Sequence, residues 1–261
     1  MPKTTYLVTG ASAGIGAVYA DRLAHRGHDL VLVARRLDRL RALADRLQAQ
    51  AGVSIECLAA DLACPNDLNR IEQRLRSDSA IGGLVNNAGI ANDGGIRDAD
   101  AGNLARMIDL NVRAVTLLSA AIASRLARTG SGTIINIASV TALIPQGLTA
   151  LYPATKAFVL AFSQALQAEL GPCGVAVQAV LPGITRTALW SEAQLARLPA
   201  ARVMEAEVMV DAALAGLDMG ESVTIPALPD MAAYEAFVRA RERLYPDLSG
   251  AQPAPRYAKA R

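Results

Sequence analysis

"YLVTGASAGIG", residues 6–16, places Gly10, Gly14 and Gly16 within seven positions of one another, directly after an apolar run. Tyr6-Leu7-Val8 reads as a strand, and the residues from Gly14 onward read as a helix. Glycines at such a turn let the backbone approach a partner closely. The helix N-terminus offers unpaired amide donors and the positive end of a dipole, so it favours an anion. A dinucleotide pyrophosphate is the leading candidate, and a tight strand-to-helix turn without a ligand is the plain alternative. The spacing is Gly-x-x-x-Gly-x-Gly, not the Gly-x-Gly-x-x-Gly of many dinucleotide-binding turns, but the physical mechanism is shared.

Outward from this turn, strand-like runs alternate with helix-length segments. Strands are expected at 5–9, 29–34, 54–60, 82–86, 133–138, 175–181 and 222–226, and helices near 14–26, 37–51, 66–77, 102–128, 151–170 and 205–218. Runs such as "LVLVA" (30–34) and "TIINIA" (133–138) suit strands buried on both faces of a parallel sheet. The alternation predicts a doubly wound α/β fold. Gly27, Gly130 and Gly171-Pro172 mark helix ends. With no repeat and no clear linker, residues 1–261 are expected to form one domain. The pattern fails at 184–204, and residues 185–204 are expected to act as a substrate lid. The tail 245–261 is expected to be disordered or to pack on a neighbouring subunit.

The totals narrow the function. Lys and Arg number 26 against 24 Asp and Glu, a formal charge of +2 that points to neither a nucleic acid nor a membrane surface. No apolar run is expected to reach transmembrane length, and "MPKTTYLVTG" enters a strand at once, so a cytoplasmic protein without a signal peptide is expected. Cys57, Cys64 and Cys173 lack the paired spacing of a zinc site, and Cys57 reads as core. His25 and His28 flank Gly27 and read as capping or surface residues, so neither a histidine base nor a metal is expected.

About twenty residues past the glycines, an NAD-binding fold usually carries an acid for the ribose 2′-hydroxyl. Here stand Arg35 and Arg36, whose guanidinium groups fit a 2′-phosphate instead, which favours NADP(H) over NAD(H); two solvated arginines at a helix start are the plain alternative. Asp61, ending "AAD", is placed either to accept from an adenine amino group or to cap the next helix. "NNAG" (86–89) ends the fourth strand with small residues beside the cofactor path. Tyr152 and Lys156, in "YPATK", lie four apart on one helix face, with Pro153 suited to the first turn; the spacing alone fits an ordinary surface pair, and its place after Ser139 and the glycine turn favours chemistry. A phenol acting near pH 7 needs its pKa lowered by about 3 units, roughly 4 kcal/mol. A neighbouring ammonium and a positive nicotinamide ring are the means. Ser139 ends the preceding strand, where its hydroxyl meets a substrate oxygen.

Taken together, "TGASAGIG", "NNAG", Asn111 in "DLNVRA", Ser139, "YPATK" and "PGITRT" resemble the short-chain dehydrogenase/reductase family in order and spacing, from about residue 4 to 227. "DLVLVARRLDRL" resembles its NADP-preferring, compact members. The resemblance implies a seven-stranded Rossmann-type parallel sheet with helices on both faces, and a catalytic tetrad of Asn111, Ser139, Tyr152 and Lys156. It makes Tyr152 the general acid/base and Ser139 the group that positions the reacting oxygen. Lys156 lowers the tyrosine pKa and holds the ribose hydroxyls, and Asn111 tethers a water through its backbone. It implies cofactor contacts from Gly10, Ser12, Ala13, Gly14, Ile15, Gly16, Arg35, Arg36, Asp61, Leu62, Asn87, Ala88, Gly89, Tyr152, Lys156, Pro182, Gly183, Ile184 and Thr187. The reaction implied is hydride transfer between NADP(H) and a ketone or aldehyde, or the matching secondary alcohol. A non-catalytic NADP-binding regulator and a sugar-nucleotide epimerase or dehydratase are the alternatives. Expected pocket walls, 140–146, 91–94 and Leu189-Trp190, are mostly apolar, which suits a neutral, hydrophobic substrate. Apolar residues in excess on helices 102–128 and 151–170 predict a homodimer or homotetramer.

Overall fold

Strands buried on both faces must send alternate side chains into two separate cores, and this requirement organises the protein. The computed structural model describes residues 3–91, 95–144, 149–188 and 190–257. Contacts divide the chain into two compact units, Met1–Pro226 and Ala227–Arg261, where the sequence suggests one domain. In the first unit the chain runs β1 (Thr5–Thr9), α1 (Gly14–His25), β2 (Asp29–Ala34), α2 (Leu37–Ala51), β3 (Ile55–Ala59), α3 (Pro65–Ser77) and β4 (Ile81–Asn86). It continues through α4 (Ala101–Ile108), a π-helical stretch (Asp109–Ala114), α5 (Val115–Thr129), β5 (Gly132–Ile137), α6 (Leu151–Leu170) and β6 (Val175–Val180). Then come β7 (Thr185–Arg186), the short α7 (Glu192–Leu195), β8 (Met204–Glu205), α8 (Ala206–Asp218) and β9 (Val223–Thr224). The second unit holds α9 (Ala232–Glu242) and two short 3-10 turns, Tyr245–Asp247 and Pro255–Tyr257.

Seven parallel strands form the sheet in the order β3-β2-β1-β4-β5-β6-β9. Tyr6 and Val8 of β1, with Leu30 and Leu32 of β2, pack on α1, α2 and α8 through Tyr19, Leu23, Leu40, Leu47 and Met209. The intervening Leu7, Val31 and Val33 pack on α3, α5 and α6 through Leu68, Ile71, Leu118, Ile122 and Leu166. This is the three-layer, doubly wound arrangement that the alternation predicts. The strand order reverses between β1 and β4, and their carboxyl ends open a crevice there, where such sheets hold ligands.

Three expectations change. The helix read as 102–128 is not uniform: Asp109–Ala114 is π-helical, which re-aims side chains at a site that matters below. By length and a mean hydropathy of 1.3, Ala101–Thr129 also does reach membrane-span dimensions, contrary to the sequence reading; half of that window is buried. Met107, Leu118, Ile122 and Leu126 are buried in the protein core, so it is a core helix. His28 is not a surface residue. It is 2% exposed, tilted against the Tyr6 ring at 4.9 Å, and its Nδ1 accepts from the Thr4 amide at 3.4 Å. His25 does behave as a helix-end residue: it is exposed, with Nδ1 2.9 Å from the Asp21 carbonyl.

Candidate active site

The glycine turn is built around contact with β4. Gly10 has φ +67°, and a Cβ there would meet Asn87 Nδ2 at 2.7 Å. At Gly16 a Cβ would collide with Asn87 Nδ2 and sit 2.5 Å from the Gly10 carbonyl oxygen. Asn87 Nδ2 in turn donates to the carbonyls of Thr9 (2.9 Å) and Gly10 (3.3 Å). Thr9 Oγ1 accepts from the Asn87 and Ala88 amides at 2.9 and 3.0 Å and donates to the Val85 carbonyl at 3.1 Å. These bonds clamp the ends of β1 and β4 together. Ala13, at the N-cap of α1, supplies no side-chain cap, and the first turn holds no acid. An N-terminus without a side-chain cap or an acid suits an anion.

A cleft runs from this turn, lined among others by Gly10, Ser12, Arg35, Arg36, Asp61 and Leu62. Both arginines are exposed, and Arg36 Nη2 donates to Ser12 Oγ at 3.1 Å. Asp61 is more engaged than its sequence context suggests. Its Oδ1 accepts from the Ala63 amide at 3.1 Å, and its Oδ2 from Arg106 Nη2 at 2.7 Å. Burial pushes the carboxyl up, but Arg106, the Ala63 amide and the charge of Arg35 outweigh it and hold it below the usual carboxylate range. Two guanidinium groups, a serine hydroxyl and free helix amides make a donor set suited to a phosphorylated dinucleotide.

Two residues of the expected tetrad, Asn111 and Lys156, adjoin the cleft through Gly89. Gly89 lines the cleft, and a Cβ on it would lie 3.2 Å from Asn111 Oδ1 and 3.5 Å from Lys156 Nζ. Asn111, 1% exposed on the π-helical stretch, accepts from the Ile90 amide at 2.9 Å. Its Nδ2 donates to the Ile90 carbonyl (2.9 Å) and to Thr155 Oγ1 (3.1 Å). Thr155 Oγ1 donates to the Tyr152 carbonyl at 2.8 Å, so Asn111 fixes the helix turn that carries the tyrosine. Behind it, Asn86 Nδ2 donates to Asn136 Oδ1 (2.9 Å) and Asn136 Nδ2 to Ser163 Oγ (2.9 Å), tying β4, β5 and α6 from inside.

Lys156 is 6% exposed, donates to the Ile137 carbonyl at 2.8 Å, and burial lowers its pKa to about 8. Its Nζ lies 5.7 Å from the Tyr152 ring centroid. The expected drop in the tyrosine pKa does not arise from the chain alone. Burial pushes the Tyr152 phenol up, and the Ser139 hydroxyl, bonded to it, pulls the other way with a smaller effect. Ser139 Oγ is itself held by the Thr141 amide at 3.2 Å.

The remaining expected cofactor residues, Pro182, Gly183, Ile184 and Thr187, follow β6. The Pro182 carbonyl accepts from the Val140 amide (3.0 Å), and the Ile184 carbonyl from the Met204 amide (2.9 Å). Thr187 reaches the α carbon side of Gly14, where a Cβ would meet Thr187 Cγ2 at 3.1 Å. Pairing of β7 with β8, Thr185 to Met204 and Arg186 to Glu205, pins the two ends of segment 185–204 together. Of the expected pocket walls, 92–94, Pro145, Gln146 and Leu189 lie outside the described residues. Arg106, Ile90, Leu110 and Thr155 were not read from the sequence. The only local signal for them was proximity: Thr155 lies inside "YPATK", and Arg106 and Leu110 precede Asn111 by five residues and one.

Residues 4–197 match the model of the short chain dehydrogenase family. A short-chain dehydrogenase from Sphingobium yanoikuyae, solved in complex with NADPH, is 51% identical, with a TM-score of 0.94 over 97% of this chain and 99% of that one. A bulky-bulky ketone specific alcohol dehydrogenase from Comamonas testosteroni is 44% identical, with a TM-score of 0.92 over 99% and 100%. Very-long-chain 3-oxoacyl-CoA reductase-B of Danio rerio is 34% identical over 188 residues, 70% of this chain but 60% of that protein, so the chain spans well under two thirds of such curated relatives. Similarity of this extent, carried by a glycine turn and a Tyr152–Lys156 helix in the same fold, places the chain in the short-chain dehydrogenase family.

Proposed function

We propose that the protein is an NADP(H)-dependent oxidoreductase that reduces neutral, bulky ketones and, in reverse, oxidises the matching secondary alcohols. The observation that carries this reading is Gly89, which puts Asn111 and Lys156 against the same cleft that Arg35 and Arg36 line. The relative from Sphingobium yanoikuyae binds NADPH, and the one from Comamonas testosteroni is specific for bulky-bulky ketones. NADPH bound in the cleft supplies the hydride that reduces the carbonyl carbon. The amides of the α1 N-terminus would hold its pyrophosphate, and Arg35, Arg36 and Ser12 its 2′-phosphate.

Tyr152 gives its phenol proton to the carbonyl oxygen as negative charge develops there. Its raised pKa keeps it protonated through neutral pH, the state that reduction requires. The Ser139 hydroxyl donates to the same oxygen, while the Thr141 amide fixes Ser139 Oγ from behind. Lys156 holds the ribose hydroxyls and returns a proton to Tyr152. With its pKa lowered to about 8 it exchanges protons more readily than an ordinary lysine. Asn111 positions the turn of α6 that carries Tyr152, and its backbone holds the water that resupplies Lys156.

Ile96 and Ile144, 55% and 67% exposed, follow β4 and β5, strands whose carboxyl ends face the crevice, and would give its mouth an apolar rim. That favours a hydrophobic substrate over a charged one. Segment 185–204 closes over cofactor and substrate as a lid and keeps water from the reacting carbon. On α6, Phe158 is 37% exposed and stacks on Phe162 at 5.7 Å, next to exposed Ala154, Ala161 and Ala165. Such a flat apolar face suits pairing with a second copy, so the working form is a soluble cytoplasmic homodimer or homotetramer.

The test is NADPH oxidation across a ketone panel graded by the size of both substituents, run beside Tyr152→Phe. Turnover of bulky ketones by the wild type, lowered by about 10²-fold or more in the variant at unchanged NADPH affinity, is the expected result. No turnover of any member, or near-normal turnover by Tyr152→Phe, overturns the reading.

A further inference from the structure

Arg106 lies four residues before the cleft-lining Leu110 on the same helical segment. Its partner, Asp61, follows β3, on the opposite side of the point where the strand order reverses. The 2.7 Å ion pair between them therefore spans the crevice, with the side chains 36% and 31% exposed. Asp61 is held from its backbone as well. Its amide donates to Asp67 Oδ2 at 2.8 Å, and Asp67 Oδ1 accepts from Arg70 at 3.2 Å. A carboxylate offers about four lone-pair sites, and the Ala63 amide and Arg106 occupy one on each oxygen. Each oxygen keeps capacity for one more donor. Without Arg106 the carboxylate would keep only the Ala63 amide on Oδ1, leaving Oδ2 unanchored, and the upward push of burial would be less fully opposed.

We propose that Arg106 is a positioning residue for the adenine end of the cofactor. Its ion pair with Asp61 fixes that carboxylate as the acceptor for the exocyclic amino group of the adenine ring. The inference rests on the cleft being the NADPH site, and it separates two jobs. Arg35 and Arg36 select for the 2′-phosphate, whereas Arg106 acts on the base, which NADPH and NADH share.

The experiment compares NADPH with its hypoxanthine counterpart, in which a carbonyl oxygen replaces the amino group, by the fluorescence of the reduced nicotinamide. Wild type is expected to bind NADPH about tenfold more tightly, the worth of one hydrogen bond to a charged acceptor. In Arg106→Ala that ratio falls toward one because NADPH weakens and the hypoxanthine form barely changes. Arg106→Lys keeps part of it. The KM for NADPH rises in Arg106→Ala, while kcat at saturation stays within about twofold. An unchanged ratio in Arg106→Ala, or an equal loss for both dinucleotides, overturns the proposal, since a purely structural role would weaken both alike. Wild type binding both forms equally tightly also overturns it but leaves the cofactor reading intact. Wild type binding neither overturns both.

Discussion

Gly16→Ala tests whether the glycine turn is packed as tightly as its geometry requires. The new methyl carbon would stand 2.5 Å from the Gly10 carbonyl oxygen and 2.9 Å from its carbon, and would collide with Asn87 Nδ2. Such contacts do not persist, so the backbone must give by about 0.5 Å or more against a well-packed surround. Overpacking of this kind costs about 1–3 kcal/mol. Turning Asn87 away forfeits its bonds to Thr9 and Gly10, about 1–2 kcal/mol more. The total, roughly 2–5 kcal/mol, corresponds to a fall in Tm of about 5–20 °C for a unit of this size. Affinity for NADPH should fall by about tenfold or more, because the displaced Gly10 belongs to the cofactor cleft. Gly27→Ala is the control. Its φ of +85° strains an alanine, but nothing lies within 4 Å of the new carbon. It should cost only the backbone term, about 1–2 kcal/mol, with NADPH affinity unchanged. Melting curves with and without NADPH give both quantities. A Gly16→Ala protein with wild-type Tm and wild-type affinity would refute the reasoning.

Arg35→Asp with Arg36→Ala should shift the NADPH-to-NADH preference by at least about tenfold, since each lost charge-assisted pair is worth about 1.5–3 kcal/mol; a wild type that already prefers NADH would contradict the assignment. Burial lowers the pKa of His28, with the N-terminal amine and Arg26 acting in the same direction and the Thr4 amide contact and Asp29 opposing. The stability this neutral imidazole contributes is therefore complete above the unfolded value near 6.5 and is lost as pH falls below it. Wild type should then lose more Tm than His28→Gln between pH 7.5 and 5.5, and parallel curves would count against the buried neutral form. Phe158→Glu on the apolar face of α6 should shift the scattering mass toward 27.3 kDa at micromolar concentration; a wild type already at that mass with full activity rules out the dimer. Amides of 185–204 should gain protection from hydrogen exchange when NADPH binds, and equal protection in both states would argue against a lid.

The chain shows its sheet plainly because each strand is apolar throughout and each helix ends on a legible stop. β1, β2 and α2 fall where the run of residues puts them. The π-helical Asp109–Ala114 was hidden, since one extra residue in a turn barely disturbs the spacing of Leu110, Ala114 and Leu118. β9 shrinks to Val223–Thr224 because it pairs only with Ala179 and Val180 at the edge of the sheet. No local pattern announces that Arg106 meets Asp61, 45 residues away, or that His28 turns inward beneath Tyr6. Both are set by tertiary packing. "AAYEAFVRARE", which forms α9, has ordinary helical composition and sits beyond the reach of the family pattern.

The chain of Asn86, Asn136 and Ser163 has a consequence for how this protein can drift. A single replacement at Asn136 removes one hydrogen bond from the Asn86 amide and one from the Ser163 hydroxyl, leaving Ser119 Oγ to the first and the Val159 carbonyl to the second. Each bond lost from this buried layer costs about 1 kcal/mol, whereas replacing the partners together with apolar groups of like shape is close to neutral, so the layer changes most readily when its members change together. Loop positions such as Ile96, Ile144 and Trp190 carry no such penalty and accumulate changes one at a time. Selection for a new ketone should consequently rewrite the mouth of the site many times over before it touches the stitching beneath Tyr152, and a mutant library aimed at new substrates is best spent there.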